Sequence, residues 1–307
     1  MKRTEFTFKT KDQQDIFVYK WSPSSDSVGV IQIAHGMAEH AERYQHFAEY
    51  LTGKGFVVYA NDHRGHRKTA GNLEKVGYFA AENGWHLVTD DLKQLTDIIA
   101  DQNPGLPVFL LGHSMGSLLI RTYLTKYHGH LKGIILSGTS GESGFMVKMG
   151  KMVSKLLASV KGKEAPCKLL DNMSFGKFNQ AFKPNRTKFD WLSRDDAEVD
   201  KYVNDPYCGA IFSAQFFNDM LSGVDYINQP ENIAKIPKDL PIYFIAGSLD
   251  PVGANGEGVK KVFSDYQKAG IKDVELKLYL EARHEILNET NKLEVYDDIL
   301  KWISKRL

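Results

Sequence analysis

The stretch that decides the fold is VFLLGHSMGSLLI, residues 108–120. Its opening, VFLL, is short and apolar like a buried strand, and residues 117–127 have the pattern of a helix. Between them stands Gly112-His113-Ser114-Met115-Gly116, which fits G-x-S-x-G. Small flanking residues let a serine occupy a sharp strand-to-helix turn, with its hydroxyl projecting at the carboxyl end of the sheet. Ser114 is therefore the candidate nucleophile; the alternative is a serine that only caps the helix.

The same alternation of strand and helix extends along the chain on both sides of this turn. Strands are predicted at 6–10, 16–21, 28–34, 56–60, 108–111, 133–137, 241–246 and 274–280. Helices are predicted at 44–54, 85–100, 117–127, 258–268 and 293–307. The first two strands favour an antiparallel pair. The rest predict a mostly parallel sheet with helices on both faces, an α/β fold.

The alternation stops between residues 138 and 233, where no clean strand pattern occurs. This stretch is rich in Lys, Met, Phe, Asn and Asp, and it is predicted to be a mainly helical insertion. The chain therefore divides into a catalytic domain, residues 1–137 and 234–307, and an inserted cap, residues 138–233.

Two further side chains follow predicted strands at the same edge of the sheet. Asp250 comes just after PIYFI, and His284 comes just after VELKLYL. A serine hydroxyl becomes a good nucleophile when a neutral imidazole accepts its proton, and a carboxylate orients that imidazole. The chain order serine, acid, histidine is the order expected of this turn. Taken singly, Asp250 could be a turn residue and His284 a surface histidine; together they predict a Ser114-His284-Asp250 triad.

Acyl transfer also needs donors for a developing oxyanion. The backbone N–H of Met115, directly after the candidate nucleophile, is one predicted donor. The loop after VIQIA contains His35-Gly36-Met37, and the backbone N–H of Met37 is the other. The alternative is a tight loop that merely needs Gly36.

The charge, cysteine content and hydropathy of the chain limit the binding partners and the cellular compartment that we expect. The net charge of +1 gives no reason to expect a nucleic acid partner. The histidine spacing near residue 35 matches no zinc motif, so no metal is expected. The two cysteines, free or bridged, are sparse enough for a reducing compartment. With a charged, polar start and no long apolar run, we expect a cytoplasmic protein.

Five motifs together resemble the monoacylglycerol lipase and lysophospholipase-like group of α/β-hydrolases, which is related to serine aminopeptidases. They are the segments 35–40 (HGMAEH), 61–66 (NDHRGH), 112–116 (GHSMG), 247–253 (GSLDPVG) and 283–289 (RHEILNE). The resemblance implies an α/β-hydrolase fold with a cap, a lipid or other small acyl ester as substrate, and no cofactor. It departs at Arg67-Lys68-Thr69, where the group usually has Gly-x-Ser, so this loop near the expected site differs from the group in bulk and charge.

One predicted helix of the cap has two interpretations. Its apolar residues share one face, and Lys148, Lys151 and Lys155 share the opposite one. That apolar face either packs on the catalytic domain, or it receives an acyl chain or rests transiently on a membrane surface; one helix can do both. The apolar residues are Phe145, Met149, Met152, Val153, Leu156 and Val160.

Three functions compete at this point. The first is a lipase or medium-chain esterase, a carboxyl ester hydrolase that works through an acyl-enzyme intermediate. The second is an aminopeptidase like the proline iminopeptidases, which needs cap carboxylates to bind an ammonium group. Asp195, Asp196, Glu198 and Asp200 could supply them, although a clustered run is typical of a solvated helix face. The third is a non-catalytic binding protein, which an intact triad disfavours. The sequence leaves the oligomeric state open.

Overall fold

A computed structural model describes residues 1–127, 129–141 and 144–307. Within these ranges eight strands form one sheet, in the order β1-β2-β4-β3-β5-β6-β7-β8. β1 and β2 are antiparallel to their neighbours, and the strands from β3 onward are parallel. The strands are β1 Lys2–Lys9, β2 Asp15–Ser22, β3 Gly29–Ala34, β4 Phe56–Asn61, β5 Val108–His113, β6 Leu131–Ser137, β7 Ile242–Gly247 and β8 Val274–Tyr279.

From β3 onward helices separate the strands, as predicted, with a run of five α-helices in the described part of the chain between β6 and β7. They are α1 Gln45–Thr52, α2 Arg67–Ala70, α3 Gly84–Gln102, α4 Met115–Lys126, α5 Phe145–Lys161, α6 Lys168–Phe175, α7 Asp196–Asn204, α8 Ala214–Ile227, α9 Pro230–Ile233, α10 Glu257–Lys268 and α11 Lys292–Ser304. The predicted α/β fold is confirmed. None of the helices among the described residues is long and apolar enough to cross a membrane.

The sheet is covered on both faces, which explains its continuous apolar strands. Every residue of β3, β4, β5 and β7 is buried. One core joins the sheet to α1 and α11, through side chains such as Phe47 and Ile299. A second core joins the other face to α3, α4 and α10, through side chains such as Leu92 and Val262. Parallel strands buried on both faces lose the alternating polar pattern of a half-exposed sheet.

The segment 138–233, called the inserted segment below, runs between β6 and β7 and carries α5 to α9. α5 packs on α8, and α8 packs in turn on α3 and α4 of the sheet layer. The inserted segment therefore lies against the sheet layer through α8, with α5 on its outer side.

Of the two interpretations of the apolar face of α5, inward packing does not hold for four of its six residues, while Met149 and Val153 are half-buried. Its exposed fractions are 76% for Phe145, 68% for Met152, 63% for Leu156 and 74% for Val160. The buried residues are the small or short ones on the opposite side, Val147, Ser154 and Ala158. α8 is held there at close range, and Lys151 Nζ reaches Asp225 of α8 at 2.9 Å. These four exposed apolar side chains consequently point away from the protein.

Candidate active site

Ser114 lies at the turn between β5 and α4 with φ 50° and ψ −120°. This left-handed conformation is costly for a residue with a side chain. Two features hold it: the Ser114 N–H donates to the Ser137 carbonyl at 2.9 Å, and Gly116 lets α4 approach β3. A Cβ on Gly116 would lie 2.0 Å from the Ala34 carbonyl oxygen. The local sequence thus raises the serine at the carboxyl edge of the sheet.

Asp250 and His284 are brought together at that edge, as predicted. Asp250 follows β7 and His284 follows β8, and His284 Nδ1 lies 2.9 Å from Asp250 Oδ2. Asp250 Oδ1 accepts the Val252 N–H at 2.9 Å, which fixes the fully buried carboxylate. Because a carboxylate accepts, Nδ1 carries the proton when the ring is neutral, and Nε2 is left as the basic nitrogen.

The surroundings of His284 set its affinity for a proton. Burial disfavours the imidazolium, but the charge and hydrogen bond of Asp250, with Glu285 and Glu39 nearby, outweigh it. The pKa of His284 is raised as a result. A base of this kind accepts a proton more readily than a free histidine does.

Ser114 adjoins this pair through its neighbour in the chain. The ring of His113 lies 4.6 Å from the ring of His284, centroid to centroid. Burial lowers the pKa of His113 to about 4, so this second ring is neutral beside the candidate base. The structure therefore gathers all three residues of the predicted triad at one edge of the sheet.

The loop predicted to supply the Met37 donor, residues 35–40, is called the oxyanion loop below, and it lies against the serine. A Cβ on Gly36 would lie 2.7 Å from Glu39 Oε1 and 3.2 Å from Ser114 Cβ, so glycine favours this close approach of the loop. His35 Nε2 accepts the His63 N–H at 2.9 Å, so Nδ1 carries the hydrogen and donates to the Gly36 carbonyl at 2.7 Å. In a trans peptide the carbonyl and the next N–H point in opposite directions. Anchoring the Gly36 carbonyl on His35 therefore turns the Met37 N–H away from His35.

His35 is held as a neutral ring. Burial, with His63 and His66 close by, keeps the pKa of His35 well below its usual range. The second predicted donor, the Met115 N–H, belongs to the first turn of α4, where backbone N–H groups have no partner within the helix. The Met115 N–H thus directly follows Ser114 in the chain, and the Met37 N–H directly follows Gly36, which lies against Ser114.

Sequence reasoning missed a buried ion cluster behind the site. Arg43 binds Glu285 through two hydrogen bonds of 2.6 and 2.7 Å, and its NH1 binds Glu39 at 2.9 Å. Glu39 in turn accepts the Gly36 N–H at 2.6 Å. The cluster joins the oxyanion loop to the residue after His284. The spacing of Glu39 and Arg43, four residues apart, could have indicated that these two side chains pair. Nothing in the sequence indicated that Glu285 joins them.

The inserted segment also reaches the candidate base. The Trp191 ring lies 5.3 Å from the His284 ring, and the Leu192 carbonyl accepts the Glu285 N–H at 2.7 Å. Nearby, the Arg283 guanidinium donates to the Ser193 carbonyl at 3.0 Å. No sequence motif indicated this contact, since it joins loops that are distant in the chain.

The unusual Arg67-Lys68-Thr69 stretch is tied to its surroundings by its side chains. Lys68 Nζ binds Glu5 at 2.9 Å, and Thr69 donates to the Asp62 carbonyl at 2.7 Å. Arg67 pairs with Glu42 and lies 2.9 Å from His40 Nδ1. The positive charges of Arg67 and Lys68 are therefore paired with the carboxylates of Glu42 and Glu5.

His40, Asp205 and Cys208 also cluster, with ligand atoms within 4.8 Å of one another. His40 Nε2 lies 2.8 Å from Asp205 Oδ2, which links the oxyanion loop to the inserted segment. The Arg67 guanidinium beside His40 repels a cation. Cys208 and Cys167 are both free thiols.

The fold, together with a serine at the sharp turn between β5 and α4, defines the class of the protein: it is an α/β-hydrolase. Residues 25–291 match the family model described as serine aminopeptidase, S33. The chain therefore belongs to that family, as the resemblance of its motifs suggested.

Individual relatives extend over almost the whole chain. A monoacylglycerol lipase of Mycolicibacterium smegmatis is 30% identical, covering 99% of this chain and 98% of its own length. A human monoglyceride lipase is 29% identical, covering 96% of this chain and 88% of its own. The crystal structure of a thermostable carboxyl esterase from Bacillus coagulans, in complex with glycerol, superposes with a TM-score of 0.92 at 31% identity, covering 100% of this chain and 99% of the other.

Proposed function

We propose that the protein is a serine carboxyl ester hydrolase that cleaves lipid-like acyl esters, such as monoacylglycerols or lysophospholipids, through an acyl-enzyme on Ser114. The enzyme class, a carboxylic ester hydrolase, is confirmed by the relatives. The observation that carries the mechanism is the 2.9 Å hydrogen bond from His284 Nδ1 to Asp250 beside a strained serine turn.

In the first half-reaction the Ser114 oxygen attacks the ester carbonyl, and its proton passes to His284 Nε2. The carbonyl oxygen becomes an oxyanion, which the N–H groups of Met37 and Met115 stabilise. Collapse of this intermediate breaks the bond to the alcohol, which takes the proton from His284. Asp250 stabilises the imidazolium throughout without being protonated itself.

In the second half-reaction a water molecule attacks the acyl-serine ester, and His284 Nε2 takes the water's proton. The second oxyanion occupies the same donors. Its collapse releases the fatty acid and returns the proton to Ser114. Each step uses groups of the chain and water, so the mechanism requires no cofactor or metal.

The inserted segment supports a lipid substrate. The exposed apolar face of α5 is flanked by the lysines 148 and 155, which are also exposed. An apolar stripe bordered by cations is typical of helices that lie on a membrane surface. We assign the inserted segment as a cap that meets lipid through this face and passes substrate toward Ser114.

The acidic run argues against an aminopeptidase. A substrate ammonium would need free carboxylates, but each of these acids has a cation of the protein beside it. Lys292 lies 3.3 Å from Asp195 and 2.9 Å from Glu198. Arg186 lies 3.3 Å from Asp196 and 2.5 Å from Asp200. These carboxylates therefore form ion pairs within the protein around α7 and are not free to bind a substrate ammonium.

The test is hydrolysis of p-nitrophenyl esters from acetyl to palmitoyl, beside amino-acid anilides, by the wild type and Ser114→Ala. We expect ester turnover with a preference for longer chains, and loss of that turnover in the variant. Turnover of anilides without esters would replace the proposal with an aminopeptidase. No turnover of either kind would overturn the catalytic assignment in favour of a binding protein.

A further inference from the structure

The oxyanion loop is held from outside, by the inserted segment. Ala38 follows the predicted donor Met37 and has φ 55°, a left-handed conformation that is strained for alanine. Its carbonyl accepts two hydrogen bonds, from the Tyr202 hydroxyl at 2.9 Å and from the Gly209 N–H at 3.0 Å. Both donors belong to the inserted segment, one in α7 and the other just beyond it.

The Tyr202 hydroxyl is the centre of this arrangement. It donates to Ala38 and accepts from the Gly209 N–H at 3.0 Å, a hydrogen that is shared between this hydroxyl and the Ala38 carbonyl. The ring is buried, with the Arg43 guanidinium 4.9 Å above it and the Phe189 ring 5.0 Å away. Tyr202 therefore touches both the oxyanion loop and the arginine that binds Glu285.

A strained residue keeps its conformation only when its surroundings impose it. If the Ala38 carbonyl lost its donors, Ala38 could relax toward negative φ. That rotation would move the chain next to Met37 and turn the Met37 N–H away from the position of the oxyanion. A donor misplaced by a fraction of an ångström loses much of its value, because stabilisation of the oxyanion depends on preset geometry.

We propose that Tyr202 is a positioning residue of the oxyanion hole, acting through the Ala38 carbonyl without touching the substrate. This inference rests on the proposed esterase function. It makes the inserted segment part of the catalytic machinery as well as a cover: movement of α7 away from the loop would switch off the hole.

The first test is Tyr202→Phe, which removes one oxygen and keeps the ring. The matched control is Tyr226→Phe, because the Tyr226 hydroxyl also joins the inserted segment to the sheet layer, at 3.1 Å from Thr125 Oγ1, but contacts no part of the oxyanion loop. For Tyr202→Phe we expect kcat for a soluble ester to fall about ten-fold with little change in KM. Affinity for an alkyl boronic acid, whose serine adduct places an oxygen in the hole, should fall in parallel. Tyr226→Phe should change neither value.

The second test is a double-mutant cycle with Ala38→Gly. Glycine adopts positive φ without strain. Residue 38 therefore depends less on the Tyr202 hydroxyl to keep this conformation in the Ala38→Gly variant. The loss caused by Tyr202→Phe should therefore be smaller in the Ala38→Gly background, and the acid limb of the pH–rate profile should stay in place in all variants. A general structural role would instead give equal losses in both backgrounds.

The two proposals fail separately. If the wild type hydrolyses esters through Ser114 and binds the boronic acid, but Tyr202→Phe leaves kcat and boronate affinity within about twofold of the wild type, only the role of Tyr202 is overturned. If ester turnover is absent or survives Ser114→Ala, the proposed function itself fails. Circular dichroism melting, run on every variant, ensures that activities are compared between folded proteins.

Discussion

The indole of Trp191 covers the imidazole of His284, with ring centroids 5.3 Å apart and an angle of 34° between the planes. The Trp191 carbonyl also accepts the backbone N–H of His284 at 3.4 Å. A residue of the inserted segment therefore shields the candidate base from water and holds its backbone. The inserted segment therefore packs directly against one member of the candidate triad.

Trp191→Ala tests that relationship. Removing the indole admits water to His284, and relief of desolvation raises the pKa of the imidazole. The acid limb of kcat/KM should move to higher pH, and the free energy of unfolding should fall by about 3 kcal/mol. Trp191→Phe keeps an aromatic cover and should show a smaller change in both. An acid limb that stays in place in Trp191→Ala would contradict the shielding role.

Asp250→Asn tests the source of the raised pKa of His284. The neutral imidazole is the active form, so activity is lost as pH falls through its pKa, above the ordinary value of 6.5. Without the carboxylate, burial dominates and the pKa of His284 drops, so the acid limb should shift to lower pH. The plateau rate should fall by about 10⁴-fold, since the tautomer is no longer fixed. A pH–rate profile measured on a soluble ester would contradict the account if it had the same acid limb in both proteins.

The exposed face of α5 is tested by Phe145→Ser combined with Leu156→Ser. Both side chains are largely exposed, so the melting temperature should hardly change. Turnover of monoacylglycerol presented in vesicles should fall several-fold, because apolar area is lost from the lipid-facing surface. Turnover of p-nitrophenyl acetate should stay the same.

Leu293→Ser is the matched control for that experiment, since Leu293 is 65% exposed on α11, outside the inserted segment. It should leave both rates at the wild-type level. Equal losses on vesicles and on the soluble acetate in the double variant would count against a lipid-facing role.

Glu289 is expected to stabilise the loop that carries His284. Its fully buried carboxylate accepts Arg194 Nε at 2.8 Å and the Arg283 N–H at 2.8 Å. Glu289→Gln removes the charge and places an amide hydrogen against these donors, so we expect a loss of about 2 kcal/mol in the free energy of unfolding. Glu257→Gln, which breaks an exposed pair with Lys260, is the control and should be neutral. Equal denaturation midpoints for the two variants would refute this role.

Much of the site was predictable because its residues follow strands. Ser114, Asp250 and His284 stand after β5, β7 and β8, and the carboxyl ends of parallel strands meet at one edge. The backbone turn of Ser114 was also encoded locally, in the glycines beside it. Local patterns of this kind need no knowledge of distant contacts.

Other features depend on contacts between distant parts of the chain. Arg43 and Glu285 meet across 242 residues, and nothing in either neighbourhood indicates the other. The periodicity of α5 identified an apolar face correctly, but it could not tell which face would meet α8. Small residues such as Ala158 allowed the close approach, and the larger apolar residues were left exposed. Hydrophobic periodicity shows which face of a helix is apolar, but it does not show which other element that face contacts.

In the proposed mechanism Ser114 carries the acyl group. The most direct measurement is rapid quenching of the enzyme during turnover of a p-nitrophenyl ester, followed by peptide mass spectrometry. We expect one acyl group per chain, on the peptide containing Ser114, and none in a folded Ser114→Ala variant, which should also have lost ester turnover. An acyl group on a different residue, or ester turnover that survives in Ser114→Ala, would contradict this mechanism.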